Sequence, residues 1–574
     1  MDYLRCDGAR RDRPLVASAA EARPWAGGSN AACRCAGVRP PYKTKSAQSR
    51  AACVLTLLGR QAAKPRTQLL HVARSAEGKQ YLHRRVQELQ DTLLQTSFDR
   101  STGAAETALL GSMLHLLGDL PQAEANLRRA VNLDANGRYS CQLERVRRER
   151  EASNVLRDAQ QRHAHDPAST QGKWLEIDRV DAAKLSKAEF VQKYALPGVP
   201  VIITGLVAGI FAKGVWTRDR IRTELGEKTV VPRKRVARSP DWAALEDAPA
   251  VSIAAFLDLM QPPPDDAGVG AEKAVAGNAL EAPSTYLFDW NLPGNAASMC
   301  AELRIPDYFA DDFLQHLPDG SMYKDAWPSL FVGPRGTRSG LHVDAFGSNF
   351  WMAVMEGKKH WTLFRRGDTA LLGPSYVMSL DPAFAADGAI GDADGHARDA
   401  DAGQHLLSAA GGWDFVLEAG EVLFVPAGCA HTVVNCCDSV AISANYIDAS
   451  NLDLALDELI VSQAEDTRLE PIVDTLGSLR RSLATNDVDQ IETNASLMGA
   501  ATTDGGAGHC RDGGTDCGGI RFVPWDKFKK RSTSTSACTI PAQNGIQRLT
   551  GEASVQAGQG PQAKRPRSLY TRLD

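Results

Sequence analysis

From Trp174 onward the chain is built of short apolar runs, Val199 to Ile203, Leu330 to Val332, Phe350 to Met355, Trp361 to Phe364 and Val422 to Val425, each closed by Gly, Pro or a charged pair. Runs this short, without the three-to-four-residue spacing of an amphipathic helix, predict strands. A long succession of them predicts an all-β barrel or sandwich decorated by helices. With 43% apolar residues the chain can fill such a core, while 49 Gly and 29 Pro among 574 residues imply one or two folded domains plus tails.

The flanks differ from this region. Residues 1–80 mix Gly, Pro, Arg, Ser and Cys without periodicity, and no acid occurs between Glu21 and Glu77. This reads as a disordered basic leader, with a transit peptide as the alternative. Over 81–165 helical spacing takes hold. Leu110-Gly111, Leu114, Gly118, Ala123, Leu127, Ala130 and Leu133-Asp134 resemble a single tetratricopeptide (TPR-like) repeat, a helical hairpin with small residues where its arms touch. The charged run Arg145 to Glu151 reads as a solvated helix ending. Residues 382–412, rich in Asp, Ala and Gly, read as an acidic surface insertion, 451–485 as a helical extension, and 500–574 as a disordered tail.

Charge and cysteine content narrow the function classes. Lys and Arg number 65 against 69 Asp and Glu, a net charge of −4, which excludes a chain-wide nucleic-acid footprint and leaves only local patches such as Arg233-Lys234-Arg235 with Arg238. Twelve cysteines in so long a chain are too few for a secreted disulfide scaffold. A nuclear or cytoplasmic compartment follows. Lys527 to Arg531 and Lys564 to Arg567 read as nuclear-import signals, whereas His509, Cys510 and Cys517 lack the regular spacing of a zinc site. The longest uncharged stretch, between Lys193 and Lys213, is interrupted by Pro197 and Pro200 and reads as a buried strand, so no membrane association is expected.

The strongest chemical signal is Ser339-Gly340-Leu341-His342-Val343-Asp344 together with the distant Ala430-His431-Thr432. In a strand, positions i and i+2 face the same way, so His342 and Asp344 reach one ion while Val343 packs behind them. His431, delivered by the turn after Val422 to Pro426, supplies a third ligand. Two imidazoles and a carboxylate on one face of an octahedron leave three cis positions open, the arrangement of non-heme Fe(II) oxygenases, whereas zinc is usually closed into a tetrahedron. In Lys358-Lys359-His360-Trp361-Thr362-Leu363, alternation turns Lys359 inward with Trp361 and Leu363. A buried ammonium requires an anionic partner, and no neighbouring acid offers one on that face. A carboxylate ligand is a natural candidate, and Ser443 on a later strand could donate to the same group.

These motifs resemble the JmjC family of Fe(II)- and 2-oxoglutarate-dependent dioxygenases, in particular the small lysyl hydroxylase and arginine demethylase type. The likeness runs from about Trp174 to Tyr446 and includes Tyr286-Leu287-Phe288-Asp289 and Ile305-Pro306-Asp307-Tyr308. The resemblance implies a mainly β chain whose catalytic domain, 170–450, is a double-stranded β-helix (cupin jelly roll) with flanking helices. It implies Fe(II) held by His342, Asp344 and His431, with O₂ as the second co-substrate. Lys359 is implied to pair with the distal carboxylate of 2-oxoglutarate, and Ser339, Ser443 and Tyr286 to line that pocket. Met352 stands where near relatives have an Asn, and Asn349 is its candidate substitute. The implied reaction couples decarboxylation of 2-oxoglutarate to succinate with hydroxylation of Lys or Arg, or with loss of an N-methyl group as formaldehyde. The implied substrate is a protein, with histones and RNA-associated proteins as candidates. The helices after Asn445 are implied to cover the barrel or to form a homodimer. Two other readings stand beside this one: a cupin-fold binding module without catalysis, and a helical scaffold. Succinate production separates them.

Overall fold

The computed structural model describes residues 75–134, 137–166, 172–236, 242–260, 285–384, 407–497 and 520–530. Among the described residues four helices come first: α1 (Ala76–Gln95), α2 (Arg100–Leu117), α3 (Leu120–Leu133) and α4 (Ser140–His165). The first of them begins inside the expected leader, capped by Ser75, whose hydroxyl accepts from the Gly78 amide. Gly118 closes α2 in the left-handed region at φ 83°, and Asp119 caps α3 through the Gln122 amide. A side chain at Gly111 would bring its Cβ within 2.7 Å of Leu127 Cγ, so only glycine lets the two arms of this hairpin close. The run Arg145 to Glu151 is not a helix ending. It occupies the middle of α4, which continues to His165.

The β region contains β1 (Val201–Thr204), β2 (Thr285–Asn291), β3 (Ser329–Gly333), β4 (Arg338–His342), β5 (Asn349–Glu356), β6 (Lys358–Phe364), β7 (Gly412–Glu418), β8 (Glu421–Val425), β9 (His431–Asn435) and β10 (Ser439–Tyr446). A small sheet orders Trp174–Leu175, β7, β6, β9 and β4, and a large mixed sheet places β1, β8, β5, β10, β3 and β2 between short strands at either end. The two sheets enclose one apolar interior. Trp361, Leu363 and Val433 enter it from the small sheet, and Phe331, Phe350 and Met352 from the large one. Gly357, at φ 84°, makes the tight turn between β5 and β6, where a Cβ would lie 2.2 Å from the Asp438 carbonyl.

The outer face of the large sheet is also covered. Trp351, Ala353, Phe424, Ile442 and Tyr446 pack against helical segments that carry Phe190, Ile221 and Phe309. Along β6 and β7 the small sheet's outer face is polar, with Lys358 bonded to Glu418 at 2.7 Å and His360 to Asp414 at 2.8 Å. Helices α5 (Leu452–Ser462) and α6 (Glu470–Leu497) cover one flank of the barrel, burying Leu452, Ala455, Leu456 and Leu459 against Phe313 and Phe346. Ile460 stays 45% exposed.

The expectation of a disordered tail over 500–574 fails at 520–530. Phe522–Pro524 pairs antiparallel with Arg304–Pro306, and α7 (Trp525–Lys530) follows it. Phe522, Trp525 and Phe528, three residues apart, anchor this stretch on the apolar layer beneath, and Phe528 is buried. Within the basic cluster that begins at Lys527, Lys529 pairs with Asp325 and sits over the Trp525 ring. The expected insertion is also shorter than 382–412. Ala383–Phe384 pairs with Pro374–Ser375 and Gly412 opens β7, leaving 385–406 outside the described residues. The leader up to residue 74 and the group at 509–517 also lie outside them. Among the described residues no helix is long and apolar enough to cross a membrane.

Candidate metal centre and co-substrate pocket

His342 ends β4 and His431 opens β9, its neighbour in the small sheet, where the two residues stand opposite each other with ring centroids 4.2 Å apart. The register of this pair shifts between Ser339 and His342, so both residues turn toward the interior although an odd number of positions separates them. Asp344 lies just past the strand, its Oδ1 4.0 Å from His342 Nε2. One ligand atom from each of His342, Asp344 and His431 lies within 4.8 Å of the others.

The hydrogen bonds orient these donors. His342 Nδ1 is 2.8 Å from the Gly340 carbonyl and His431 Nδ1 is 3.1 Å from the Cys429 carbonyl. A carbonyl only accepts, so each Nδ1 carries the proton and each Nε2 keeps a lone pair for a metal. Burial pushes His342 well below the ordinary histidine range, with His431 adding to the effect, and lowers His431 to about 4. Burial raises Asp344 to about 7, the charge of Asp289 acts in the same direction, and a bond from Asn445 opposes both. Neutral imidazoles and a carboxyl crowded by another acid form a donor set short of positive charge, which a divalent cation supplies. The Trp242 ring packs on His342 at 4.4 Å, and its Nε1 donates to the Val343 carbonyl at 3.0 Å, holding the backbone between two of the donors.

Deeper in the barrel, Lys359 is fully buried on β6. Its Nζ donates to Tyr286 Oη at 2.9 Å and to Asn435 Oδ1 at 2.6 Å. Both partners are neutral, and burial lowers the amine to about 7. Ser443 faces the same interior from β10, opposite Met352, and its buried Oγ has no hydrogen-bond partner. A buried amine with only neutral partners and an orphaned hydroxyl suit the carboxylate end of a small dicarboxylic acid whose other end reaches the metal. Ser339 lies between these groups and the metal donors, its Oγ accepting from the Val433 amide at 3.3 Å.

Of the residues singled out in the sequence, His342, Asp344 and His431 come together at the barrel mouth, and Lys359, Tyr286, Ser443 and Ser339 gather behind them. Asn349 does not join either group. It stands on the Trp351 side of β5, where its Oδ1 accepts from the Ala427 amide at 3.0 Å and its Nδ2 donates to Ser450 Oγ at 3.0 Å. Met352 is the residue that faces inward. Asn435 is the partner the sequence reading did not assign. Opposite Lys359 in the β6–β9 register, it also donates to Thr337 Oγ1 at 2.8 Å and accepts from Ser439 Oγ at 2.7 Å. The pairing of a buried Lys with a polar residue on the next strand was the available signal. Trp242 lies in no motif, and Asp289, although part of the stretch from Tyr286 to Asp289, was given no role of its own. Arg233, from the basic patch, pairs with Asp247 across short strands at the end of the large sheet.

Residues 187–451 match the model of the cupin-like domain. The chain therefore matches that model over a little under half of its length. It is 26% identical to "Arginine-specific demethylase JMJ22" of Arabidopsis thaliana over 49% of this chain and 48% of the relative. It is 30% identical to "2-oxoglutarate and iron-dependent oxygenase JMJD4" of Danio rerio over 33% of this chain and 43% of the relative. To "Bifunctional arginine demethylase and lysyl-hydroxylase psr-1" of Caenorhabditis elegans it is 24% identical over 48% of this chain and 63% of the relative. The chain thus spans roughly half the length of the curated relatives it matches.

Proposed function

We propose that this chain is an Fe(II)- and 2-oxoglutarate-dependent oxygenase that hydroxylates, or removes an N-methyl group from, a Lys or Arg side chain of a protein. The observation that carries the reading is the convergence of His342, Asp344 and His431 within 4.8 Å at one end of a barrel whose interior holds a buried Lys359. When bound, Fe(II) with 2-oxoglutarate supplies the oxidising chemistry for O₂-dependent cleavage of a C–H bond. The chain's own residues do the rest. His342 and His431 present Nε2 while their Nδ1 protons are held by backbone carbonyls, and Asn445 orients Asp344. Lys359 and Ser443 hold the far carboxylate, with Tyr286 and Asn435 fixing the amine. The Trp361, Phe415 and Val433 side chains exclude water from the space between.

Asp289 and Asp381 both act electrostatically with Asp344, and this concentration of acidic groups favours a cationic substrate side chain. The names of two relatives, an arginine demethylase and an arginine demethylase with lysyl-hydroxylase activity, agree with that choice. Histones and RNA-associated proteins are the substrates this reading puts first. The free thiols of Cys141, Cys300, Cys429, Cys436 and Cys437 support a reducing compartment, nuclear or cytoplasmic. The small residues at the α2–α3 crossing support a TPR-like origin for the hairpin.

Purified protein supplied with Fe(II), 2-oxoglutarate and O₂ is expected to form succinate. His342→Ala and Asp344→Ala should each abolish this while leaving the thermal unfolding of the barrel cooperative. Wild-type succinate formation by both variants would refute the metal assignment and leave a non-catalytic cupin module as the better reading.

A further inference from the structure

The charged middle of α4 is directed at the barrel. Glu149 Oε2 accepts from the Tyr376 amide at 2.7 Å and from Ser375 Oγ at 3.4 Å, and is also met by His115 Nε2 at 3.1 Å. One turn earlier, Arg145 donates to the Met378 carbonyl at 3.0 Å and to Glu465 at 2.5 Å. Arg148 pairs with Glu458 of α5 at 3.2 Å. The segment thus gripped, Pro374 to Phe384, contributes Phe384 to a cluster with Leu341, Val343, Phe364 and Ala430. Leu341, Val343 and Ala430 are immediate chain neighbours of His342, Asp344 and His431. Asp381 belongs to the same segment; burial raises its carboxyl, and the charge of Asp344 adds to that effect.

We propose that α4 is a positioning element of the catalytic site: through Glu149 and Arg145 it holds Pro374 to Phe384 as a wall behind the three metal-bearing positions. This rests on the oxygenase reading for its consequence but not for its geometry. Backbone N–H and C=O groups in so short a paired segment, Pro374–Ser375 with Ala383–Phe384, need partners, and two of them find these in α4. The helical region is then no separate appendage, and a catalytic core starting near residue 170 would lack part of its wall.

The test uses the full chain with Glu149→Ala, Arg145→Ala and the conservative Glu149→Gln, followed by amide hydrogen exchange over 375–384 and by titration with Mn(II) alone. Glu149→Ala and Arg145→Ala should speed exchange in that segment and weaken Mn(II) binding on the order of threefold to tenfold, the low end of the range for groups that support metal ligands from behind. Glu149→Gln retains an acceptor for Tyr376 and should restore most of both. Phe384→Ala should weaken Mn(II) comparably, and combining it with Glu149→Ala should add little more, because both act through the same wall. Unchanged exchange in both Glu149→Ala and Arg145→Ala, or additive losses in the double variant, would overturn the proposal. Failure of the oxygenase reading has a different signature: the wild type would bind no Mn(II), while exchange would still respond to Glu149→Ala.

Discussion

The two sheets of the barrel divide the work unequally. The small sheet, whose outer face along β6 and β7 is open to solvent, supplies His342, His431, Lys359, Ser339 and Asn435. The large sheet is buried on both faces and supplies Ser443 and Tyr286, with Met352 filling space. A sheet with one wet face can place a charged side chain inward and still alternate cleanly, because its outward residues are satisfied by solvent and by partners such as Glu418 and Asp414. A sheet covered twice has no cheap position for a charge, so its share of the pocket is hydroxyls and apolar groups.

The sharpest way to break this contrast is to damage each outer face. Trp351, 1% exposed on the covered face of the large sheet, stacks on Phe309 at 5.5 Å. Trp351→Ala should cost about 3–5 kcal/mol of stability. Thr362→Ala, on the wet face of the small sheet, should cost about 1 kcal/mol or less. Denaturant melts of the two variants measure this, and comparable losses would mean that the small sheet's outer face is covered after all.

Inside the barrel the contrast is between neighbours on one strand. Lys359→Ala should weaken 2-oxoglutarate binding by about 1.5–3 kcal/mol, the range for a hydrogen bond to a charged group, while Lys358→Ala should change it little. Calorimetric titration decides, and a larger effect at Lys358 would reverse the register assigned to β6.

The same contrast governs what could be read from the sequence. On the small sheet the alternation of Lys358 through Leu363 announced its own facing, because polar and apolar residues take turns along β6. On the large sheet, β5 is buried at nearly every position, so no alternation distinguishes Asn349 from Met352, and the wrong one was assigned to the pocket. His342 and Asp344 were legible from their i, i+2 spacing, although Asp344 lies just beyond the strand and a register shift sets the facing of His342. The α4 contacts were illegible for another reason. A run of alternating charges has one appearance whether it meets water or a neighbouring domain, and only the fold brings Glu149 to the Tyr376 amide. The strap at 520–530 was hidden likewise, since its three aromatics gain meaning only from the groove they fill.

Burial also makes the pocket sensitive to pH. The Lys359 amine is lowered to about 7, below the ordinary lysine range, because its interior offers little solvation. A carboxylate binds the charged form, so below pH 7 the free protein is already protonated and affinity is full. Above pH 7 a proton must be taken up on binding, and affinity should fall by up to about tenfold per pH unit until the bound-state value is reached. The dissociation constant of 2-oxoglutarate, followed from pH 6.5 to 8.5, checks this. The slope should vanish in Lys359→Met, whereas an unchanged slope in that variant would place the titrating group elsewhere.

The smallest expected effect belongs to the large sheet's polar contribution. Ser443 Oγ is buried without a partner, so in the free protein its hydroxyl already bears the cost of lost water. Ser443→Ala removes that unsatisfied group and should leave stability unchanged or slightly raised. In the complex the hydroxyl gains an acceptor that alanine cannot replace, and binding of 2-oxoglutarate should weaken by about 0.5–1.5 kcal/mol, roughly twofold to tenfold. The two measurements must move apart, with stability held and affinity lost. If Ser443→Ala instead destabilised the fold by as much as it weakened binding, the hydroxyl would already have a partner in the free barrel, and the carboxylate end of the pocket would be built by the small sheet and Tyr286 alone.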